Sequence, residues 1–178
     1  YSQGQFVSKD GKLYKVDADG KLHEYKGMLK QGDVVWQNAQ AFVVGADGKL
    51  HSLDNNEIFI GKDDKPFIFK DSKIVSLTAQ GASAGDLVKV GNKFYKIDTN
   101  GKVHQYNAKP NAGETVWADG KINYIATNGK MYAFKEGEIF PSKDGQLYIL
   151  KDSKLAKYTK PCLSQQVEGK WYISDKAG

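Results

Sequence analysis

The 178-residue chain has little cysteine, no arginine and no long apolar run. Its single cysteine, Cys162, excludes an internal disulfide framework and a cysteine-based zinc site. No apolar run approaches the ~18 residues that a membrane-spanning helix needs, so no membrane span is expected. All 26 basic residues are lysine, whereas proteins that read DNA sequence rely on the planar arginine side chain. Specific nucleic-acid binding is therefore not expected.

The overall composition of the chain is typical of a folded globular domain. Hydrophobic residues make up 40% of the chain and charged residues 26%, with a formal net charge of +5. The lysines are spread evenly among Asp and Glu, which is typical of a solvated surface with guarded strand edges. The sequence begins at Tyr1, without a Met or an apolar signal core, which fits either a mature fragment after signal removal or an arbitrary boundary. We expect a secreted, periplasmic or cell-surface protein.

An internal duplication organises the chain. Lys-Leu-Tyr-Lys-Val-Asp at 12–17 recurs as Lys-Phe-Tyr-Lys-Ile-Asp at 93–98, and the register then continues at an offset of about 81 residues. The two copies span residues 1–81 and 82–162, and a partial third copy spans 163–178. We expect residues 1–178 to form a single domain from this duplication.

Each long copy contains shorter units. Gly-Lys-Leu-His occurs at 20–23 and again at 48–51, and the lysines of the related motifs recur every 24 to 29 residues. Each unit predicts three strands, which in the second unit are 33–37, 41–45 and 49–53. Asp-Gly or Asn-Gly between the second and third strands predicts a type I′ hairpin turn. With strands rich in Val, Ile, Tyr and Phe and no helical periodicity, the sequence predicts an all-β fold.

Alternation along the third strands predicts sheets that are covered on both faces. Leu22 and Tyr25 point to opposite faces of one strand, and Val103 and Tyr106 repeat the pattern. A sheet with one face in water would carry polar residues there. The sequence therefore predicts a compact β-propeller of short three-stranded blades, seven or six in number, with residues 5–8 closing the ring beside a two-stranded C-terminal remnant. The alternative is an open hairpin-repeat sheet or a solenoid.

One repeated pattern resembles a known family. Gly-Asp-Val-Val-Trp at 32–36, followed by Phe-Val-Val-Gly-Ala-Asp-Gly-Lys-Leu-His at 42–51, is similar to the repeats of tectonin and tachylectin-type propellers. This resemblance implies a non-enzymatic protein that binds sugars or bacterial surface polysaccharides, usually with one ligand per blade or blade interface.

The polar motifs predict neither catalysis nor a cofactor. No Ser-His-Asp or Cys-His arrangement can be identified, so the chain is not expected to be an enzyme. Glu57 and Glu138 are repeat equivalents and should lie far apart, unlike the paired carboxylates of a glycosidase. His23, His51 and His104 also occupy equivalent positions, which favours structural or surface roles over a metal site.

Aromatic residues are the remaining candidates for ligand binding. An aromatic face beside amide and carboxylate groups can hold a sugar ring, although packing between blades would use the same residues. The sequence thus predicts a lectin-like module for a glycan or cell-surface polysaccharide. The alternative is a structural or protein-interaction propeller at the cell surface or in the periplasm, with a protein partner. The candidate ligand-binding residues are Trp36, Trp117, Trp171, Tyr14, Tyr95 and Tyr172.

Overall fold

The computed structural model describes residues 1–141, 146–152, 154–159, 162–167 and 170–175. Within these ranges the only helical elements are two short 3-10 turns, Lys62–Asp64 and Thr78–Gln80. No helix in the described ranges is long and apolar enough to span a membrane.

Twenty strands make up the described part of the chain, eighteen of them as six three-stranded antiparallel meanders and two as a final hairpin. The predicted all-β chain of repeated hairpin sheets is confirmed. The strands are β1 (Phe6–Lys9), β2 (Lys12–Val16), β3 (Leu22–Glu24), β4 (Val34–Gln37), β5 (Gln40–Val44), β6 (Leu50–Ser52), β7 (Glu57–Ile60), β8 (Pro66–Lys70), β9 (Lys73–Ser76), β10 (Leu87–Val90), β11 (Lys93–Ile97), β12 (Val103–Tyr106), β13 (Thr115–Ala118), β14 (Lys121–Ile125), β15 (Met131–Ala133), β16 (Ile139–Pro141), β17 (Leu147–Lys151), β18 (Lys154–Lys157), β19 (Cys162–Val167) and β20 (Lys170–Asp175).

Every meander begins with the same turn. In the second, the backbone N–H of Lys30 donates to Asp33 Oδ2 at 2.7 Å, and the Asp33 N–H donates back to the Lys30 carbonyl at 3.0 Å. Gly32 between them has φ +82°, a value that favours glycine. Such a side-chain turn satisfies backbone donors before the ladder starts. The six turn pairs are Gly4-Gln5, Gly32-Asp33, Asn56-Glu57, Gly85-Asp86, Gly113-Glu114 and Gly137-Glu138.

Parallel pairing joins successive meanders into larger sheets. Strands β1 and β4 pair in parallel, with Val7 opposite Trp36, and give a six-stranded sheet in the order β3-β2-β1-β4-β5-β6. Strands β10 and β13 repeat this pairing, with Val88 opposite Trp117, in the order β12-β11-β10-β13-β14-β15. Each six-stranded sheet is followed by a three-stranded one, β7-β8-β9 or β16-β17-β18. The duplicated unit is therefore six strands plus three.

This topology shows that the predicted closed propeller is wrong. Blades of a propeller are separate sheets, whereas here the first strands of neighbouring meanders share a hydrogen-bonded ladder. The N-terminal strand was expected to complete the last blade, but β1 lies between β2 and β4. The final hairpin, β19-β20, forms a sheet of its own. The described strands form no closed ring and follow the alternative, a run of hairpin repeats.

The three-stranded sheet β7-β8-β9 is covered on both faces. Phe59 on one face belongs to a buried cluster with Trp36 of the first six-stranded sheet. Ile58, the preceding residue, points the other way and belongs to a cluster with Trp117 of the second six-stranded sheet. Alternating apolar residues therefore predict the sandwiching of this sheet correctly.

The same prediction fails at three of the four outer strands of the six-stranded sheets. Leu22, Leu50 and Met131 are 42%, 43% and 38% exposed on the edge strands β3, β6 and β15. Val103, the repeat equivalent of Leu22, lies on the fourth edge strand, β12, but is only 6% exposed, because it belongs to the buried cluster that includes Ile58 of the three-stranded sheet; Tyr106 is half-buried on the opposite face. The expectation of two covered faces is wrong for Leu22 and correct for Val103.

The turn between the second and third strands also differs from the prediction. Gly20 has φ +77°, but Asp19 keeps a negative φ, so the turn is not type I′. Instead, Asp17 Oδ1 accepts the backbone N–H groups of Asp19 at 2.9 Å and Lys21 at 2.8 Å. A two-residue turn with positive φ at both positions occurs between β1 and β2, at Asp10 (+51°) and Gly11 (+72°).

Candidate functional site

Two clefts related by the duplication lie beside the six-stranded sheets, each bounded also by the three-stranded sheet that follows. The first has a volume of about 290 Å³ and the second about 340 Å³. Most of their lining positions correspond at the offset of 81 residues, so the duplication produced a matched pair of cavities. The pairs used below are Gln5 and Asp86, Lys15 and Lys96, Asp33 and Glu114, Phe59 and Phe140, and Phe67 and Tyr148.

An aromatic pair from the three-stranded sheet forms one wall of each cleft. Phe59 and Phe67 face each other across β7 and β8, with ring centroids 5.8 Å apart and planes at 23°. Phe140 and Tyr148 repeat this stacking across β16 and β17 at 6.0 Å and 29°. Phe59 and Phe140 are buried, whereas Phe67 and Tyr148 are half-buried. The second ring of each pair therefore offers an aromatic surface to the cleft.

Two glycines allow the sheets to approach at the first cleft. A Cβ on Gly32 would lie 2.5 Å from the backbone nitrogen of Lys62, where no real side chain fits. A Cβ on Gly61 would lie 2.6 Å from the ring of Phe67. Backbone therefore packs against backbone at the rim of the cleft, and one edge of the Phe67 ring lies against Gly61.

The floor of the first cleft is the side chain of Gln5. Its Oε1 accepts the Trp36 indole Nε1–H at 2.8 Å and the Ser2 backbone N–H at 2.9 Å. Both partners are donors only, which fixes the orientation of the amide. Trp36 thus positions Gln5, and the amide nitrogen is the group left to serve a ligand.

Asp86 takes the same place in the second cleft. Its Oδ2 accepts the Trp117 indole Nε1–H at 3.1 Å and the Ser83 backbone N–H at 3.0 Å. Burial raises the pKa of Asp86 to about 6, although these two hydrogen bonds act to lower it. Among the described residues no lysine or histidine forms an ion pair with Asp86. The Lys96 ammonium instead lies over the ring of Tyr106, 5.7 Å from its centroid.

The candidate residues from the sequence that the structure describes do not line the two clefts. Trp36 and Trp117 are 7% and 4% exposed and meet the cleft floors only through their indole N–H groups, while Trp36 also lines a separate pocket beside the turn between β1 and β2. Tyr14 and Tyr95 are half-buried and line neither cleft. The side chains of two further candidates, Trp171 and Tyr172, lie outside the described residues.

Sequence reasoning missed the residues that line the clefts. Phe67, Tyr148, Gln5 and Asp86 carry no motif that signals binding. Two signals would have found them: their equivalence at an offset of 81 residues and, for Gln5 and Asp86, the glycine that precedes each of them at the start of its meander.

Each of the three histidines forms a hydrogen bond with an aspartate of the turn that precedes its strand. His23 Nε2 lies 2.7 Å from Asp17 Oδ2, and His104 Nε2 lies 2.7 Å from Asp98 Oδ2. The hydrogen bond from His104, with that from the Lys102 backbone, lowers the pKa of Asp98, and the pKa of Asp17 is lowered in the same way. No group of three or more metal-ligating side chains occurs in the described part of the chain.

Comparisons with known proteins give weak likenesses. Neither a family model nor a curated protein matches the chain. Among solved structures, alternansucrase in complex with isomaltononaose matches at 17% identity over 99% of this chain and 13% of that one, with a TM-score of 0.22. Choline binding protein F from Streptococcus pneumoniae matches at 17% identity, over 99% and 51%, with a TM-score of 0.21.

The modular autolysin LytC from Streptococcus pneumoniae, in complex with a synthetic peptidoglycan ligand, matches at 14% identity over 96% of this chain and 46% of that one, with a TM-score of 0.20. This chain spans about half the length of these two pneumococcal proteins, and far less of alternansucrase. Such scores are too low to transfer a ligand or an activity.

The sheet topology corrects the resemblance to tectonin and tachylectin-type propellers. The hydrogen-bonded ladder between β1 and β4 rules out separate blades within the first two meanders, and the ladder between β10 and β13 does the same in the second copy. The resemblance is therefore wrong.

Proposed function

We propose that this chain is a non-enzymatic binding module that holds a cell-surface carbohydrate in its two equivalent clefts. The observation that supports this most is the recurrence, 81 residues apart, of a cavity with a half-buried aromatic ring beside polar side chains. A sugar ring places its apolar C–H face on an aromatic ring and its hydroxyl groups against amide, carboxylate and ammonium groups.

The first cleft supplies each of these groups. Phe67 provides the aromatic surface, and Gln5, Lys15 and Asp33 provide a hydrogen-bond donor, a cation and a carboxylate around it. The Asp33 carboxylate already accepts the Lys30 backbone N–H at 2.7 Å, which holds it in place. This role is binding rather than acid–base catalysis, because the carboxylate serves the turn that opens the meander.

Two clefts on one chain favour a polymeric ligand. When one site is occupied, the second meets a tethered ligand at high effective concentration, so weak sites add up to useful avidity. A polysaccharide with repeating units fits this arrangement. Such polymers coat cell surfaces, and the proposed location is accordingly secreted or at the cell surface.

The test is a binding measurement with a pair of double variants. We expect a panel of surface polysaccharides and peptidoglycan fragments to include a ligand for the wild-type chain. The double variant Phe67→Ala with Tyr148→Ala should lower the affinity for that ligand at least about tenfold, because both aromatic surfaces are lost. Tyr14→Ala with Tyr95→Ala is the matched control, since these repeat-equivalent tyrosines are half-buried but line neither cleft.

Circular dichroism should show that both double variants remain folded. The proposal is overturned if the wild-type chain binds no carbohydrate in the panel. It is equally overturned if the cleft variant binds as well as the wild type, or if the control variant alone loses binding. Choline belongs in the panel as a competing ligand, and its exclusive binding would also contradict a carbohydrate site.

A further inference from the structure

The two clefts differ at the one side chain that forms the floor. Each cleft is lined by a lysine, Lys15 or Lys96, and by an acidic residue at the start of the following meander, Asp33 or Glu114. The floor is Gln5 in the first cleft and Asp86 in the second. The surrounding backbone is the same, because the N–H of residue 5 donates to Ser2 O at 3.1 Å and that of residue 86 to Ser83 O at 3.1 Å.

Gln5 offers a hydrogen-bond donor to the first cleft. Its oxygen is occupied by two N–H groups, from Trp36 and Ser2. None of the described residues accepts a hydrogen bond from its Nε2 group, which carries two hydrogens. A ligand therefore binds this floor more tightly if it presents a hydrogen-bond acceptor such as a carbonyl oxygen.

Asp86 offers the opposite polarity to the second cleft. Both hydrogen bonds from described residues end on Oδ2, which leaves Oδ1 to accept from a ligand. Lys96, the lysine in the lining of this cleft, is engaged over the ring of Tyr106. A partly buried carboxylate without an ionic partner gains most from a cationic donor that enters the cleft.

We infer that the two clefts select opposite substituents on the same class of sugar, which is an aminosugar polymer. The first cleft selects N-acetylated units, whose acetamido carbonyl accepts from Gln5 Nε2. The second selects units with a free primary amine, whose ammonium donates to Asp86 Oδ1. This inference rests on the proposed carbohydrate function and names the substrate class of the same clefts.

The expected discrimination follows from the hydrogen bonds involved. An ammonium–carboxylate bond is charge-assisted and stronger than a bond between neutral groups. An acetamido carbonyl placed against the Asp86 carboxylate sets two acceptors face to face, and in the reverse orientation the group offers only a neutral N–H, a weaker donor than an ammonium. A buried polar group left unpaired typically costs enough to lower affinity about tenfold or more.

The experiment exchanges the floor residues between the clefts. Calorimetric titration at neutral pH uses two probes, a glucosamine tetramer with free amines and its fully N-acetylated counterpart. Asp86→Gln gives the second cleft the floor residue of the first. It should lower the affinity for the free-amine tetramer at least about tenfold and raise the affinity for the acetylated tetramer. Gln5→Asp makes the reverse exchange and should add a second site for the free-amine tetramer.

Asp119→Asn is the matched control, because it removes one negative charge from an exposed turn that contacts neither cleft. It should leave both affinities within about twofold of the wild type, which separates the floor contact from general charge attraction. The glutamine at position 86 keeps an acceptor for Trp117, and unchanged circular dichroism verifies the fold of both exchange variants.

Three outcomes distinguish this inference from the proposed function. If both tetramers bind and Asp86→Gln leaves their ratio unchanged, the inference is overturned while the carbohydrate function stands. The same holds if Asp119→Asn changes the ratio as much as Asp86→Gln does. If neither tetramer binds but another polysaccharide does so through Phe67 and Tyr148, the proposed function survives and the aminosugar assignment is overturned.

Discussion

The indole Nε1–H of Trp117 donates a hydrogen bond of 3.1 Å to the Oδ2 atom of Asp86. The equivalent bond, from Trp36 to Gln5, measures 2.8 Å in the first copy of the duplication. A buried tryptophan thus holds the floor of each cleft, but one floor is a neutral amide and the other a titratable acid. This difference has consequences for stability as well as for binding.

Asp86→Asn should stabilise the protein in a pH-dependent way. Burial raises the pKa of Asp86 from an ordinary 3.8 to about 6, so the folded chain favours the neutral acid. The stability that this group contributes is fully present below pH 3.8 and is lost as the pH rises through about 6. About two pKa units correspond to at most about 3 kcal/mol at pH 8. Asparagine keeps a hydrogen-bond acceptor for Trp117 and does not ionise, so the variant does not lose stability as the pH rises.

Urea unfolding at two pH values measures this effect. We expect the variant to be as stable as the wild type near pH 4 and more stable near pH 8, by an amount of order 1 to 3 kcal/mol. Comparing the two proteins at each pH cancels the other titrating groups. A stability difference that is the same at both pH values would mean that Asp86 titrates normally.

His104→Ala should raise the pKa of Asp98. The hydrogen bond from His104 Nε2 is the largest cause of the lowered pKa, and the Lys102 backbone N–H is the next. The pKa should therefore return part of the way toward 3.8, because the backbone bond remains. An acid with a lowered pKa stabilises the fold above its ordinary pKa and loses that effect as the pH falls through the lowered value.

Carboxyl chemical shifts followed by NMR through the acid range give this pKa directly. Asp17, which pairs with His23 in the first copy, serves as an internal control and should titrate as it does in the wild type. If Asp98 titrates identically with and without His104, the side-chain pair has no role in its ionisation and the turn alone lowers its pKa.

Gly32→Ala should destabilise the protein far more than Gly48→Ala. Both glycines have positive φ, +82° and +73°, so alanine is strained at either position by about 1 kcal/mol. A Cβ at Gly48 would meet nothing within 4 Å, whereas one at Gly32 would lie 2.5 Å from Lys62 N. Displacing backbone at the cleft rim should add at least about 2 kcal/mol. Equal losses in chemical denaturation would show that the two turns do not pack tightly here.

The sequence predicts the repeated elements well because their signals are local. Alternating apolar residues and turn residues specify each hairpin, and the duplication at 81 residues specifies which hairpins are alike. The second-unit strands predicted at 33–37, 41–45 and 49–53 are found at Val34–Gln37, Gln40–Val44 and Leu50–Ser52. Local patterns therefore suffice for the strands themselves.

The way the meanders associate depends on information that local patterns lack. The strand with Val34 and Val35 is apolar on both faces, which fits a propeller blade and the centre of a six-stranded sheet equally well. Nothing in the alternation says that β4 pairs in parallel with β1. The clefts could not be predicted from local patterns for the same reason. Phe67 and Gln5 come from different meanders and meet only because two sheets pack together.

Alanine substitutions at Leu22 and Val103 would show directly how the packing of the two repeat copies differs. The two residues occupy equivalent positions on the edge strands β3 and β12, but Leu22 is 42% exposed and Val103 is 6% exposed in the core. Val103→Ala removes two buried methyl groups and should cost about 1 to 3 kcal/mol through lost burial and a small cavity. Leu22→Ala should stay within about 0.5 kcal/mol of the wild type, as exposed substitutions generally do. Unfolding in urea measures both, and equal losses would mean that β3 is covered as fully as β12 and that the first copy packs as the sequence alone predicts.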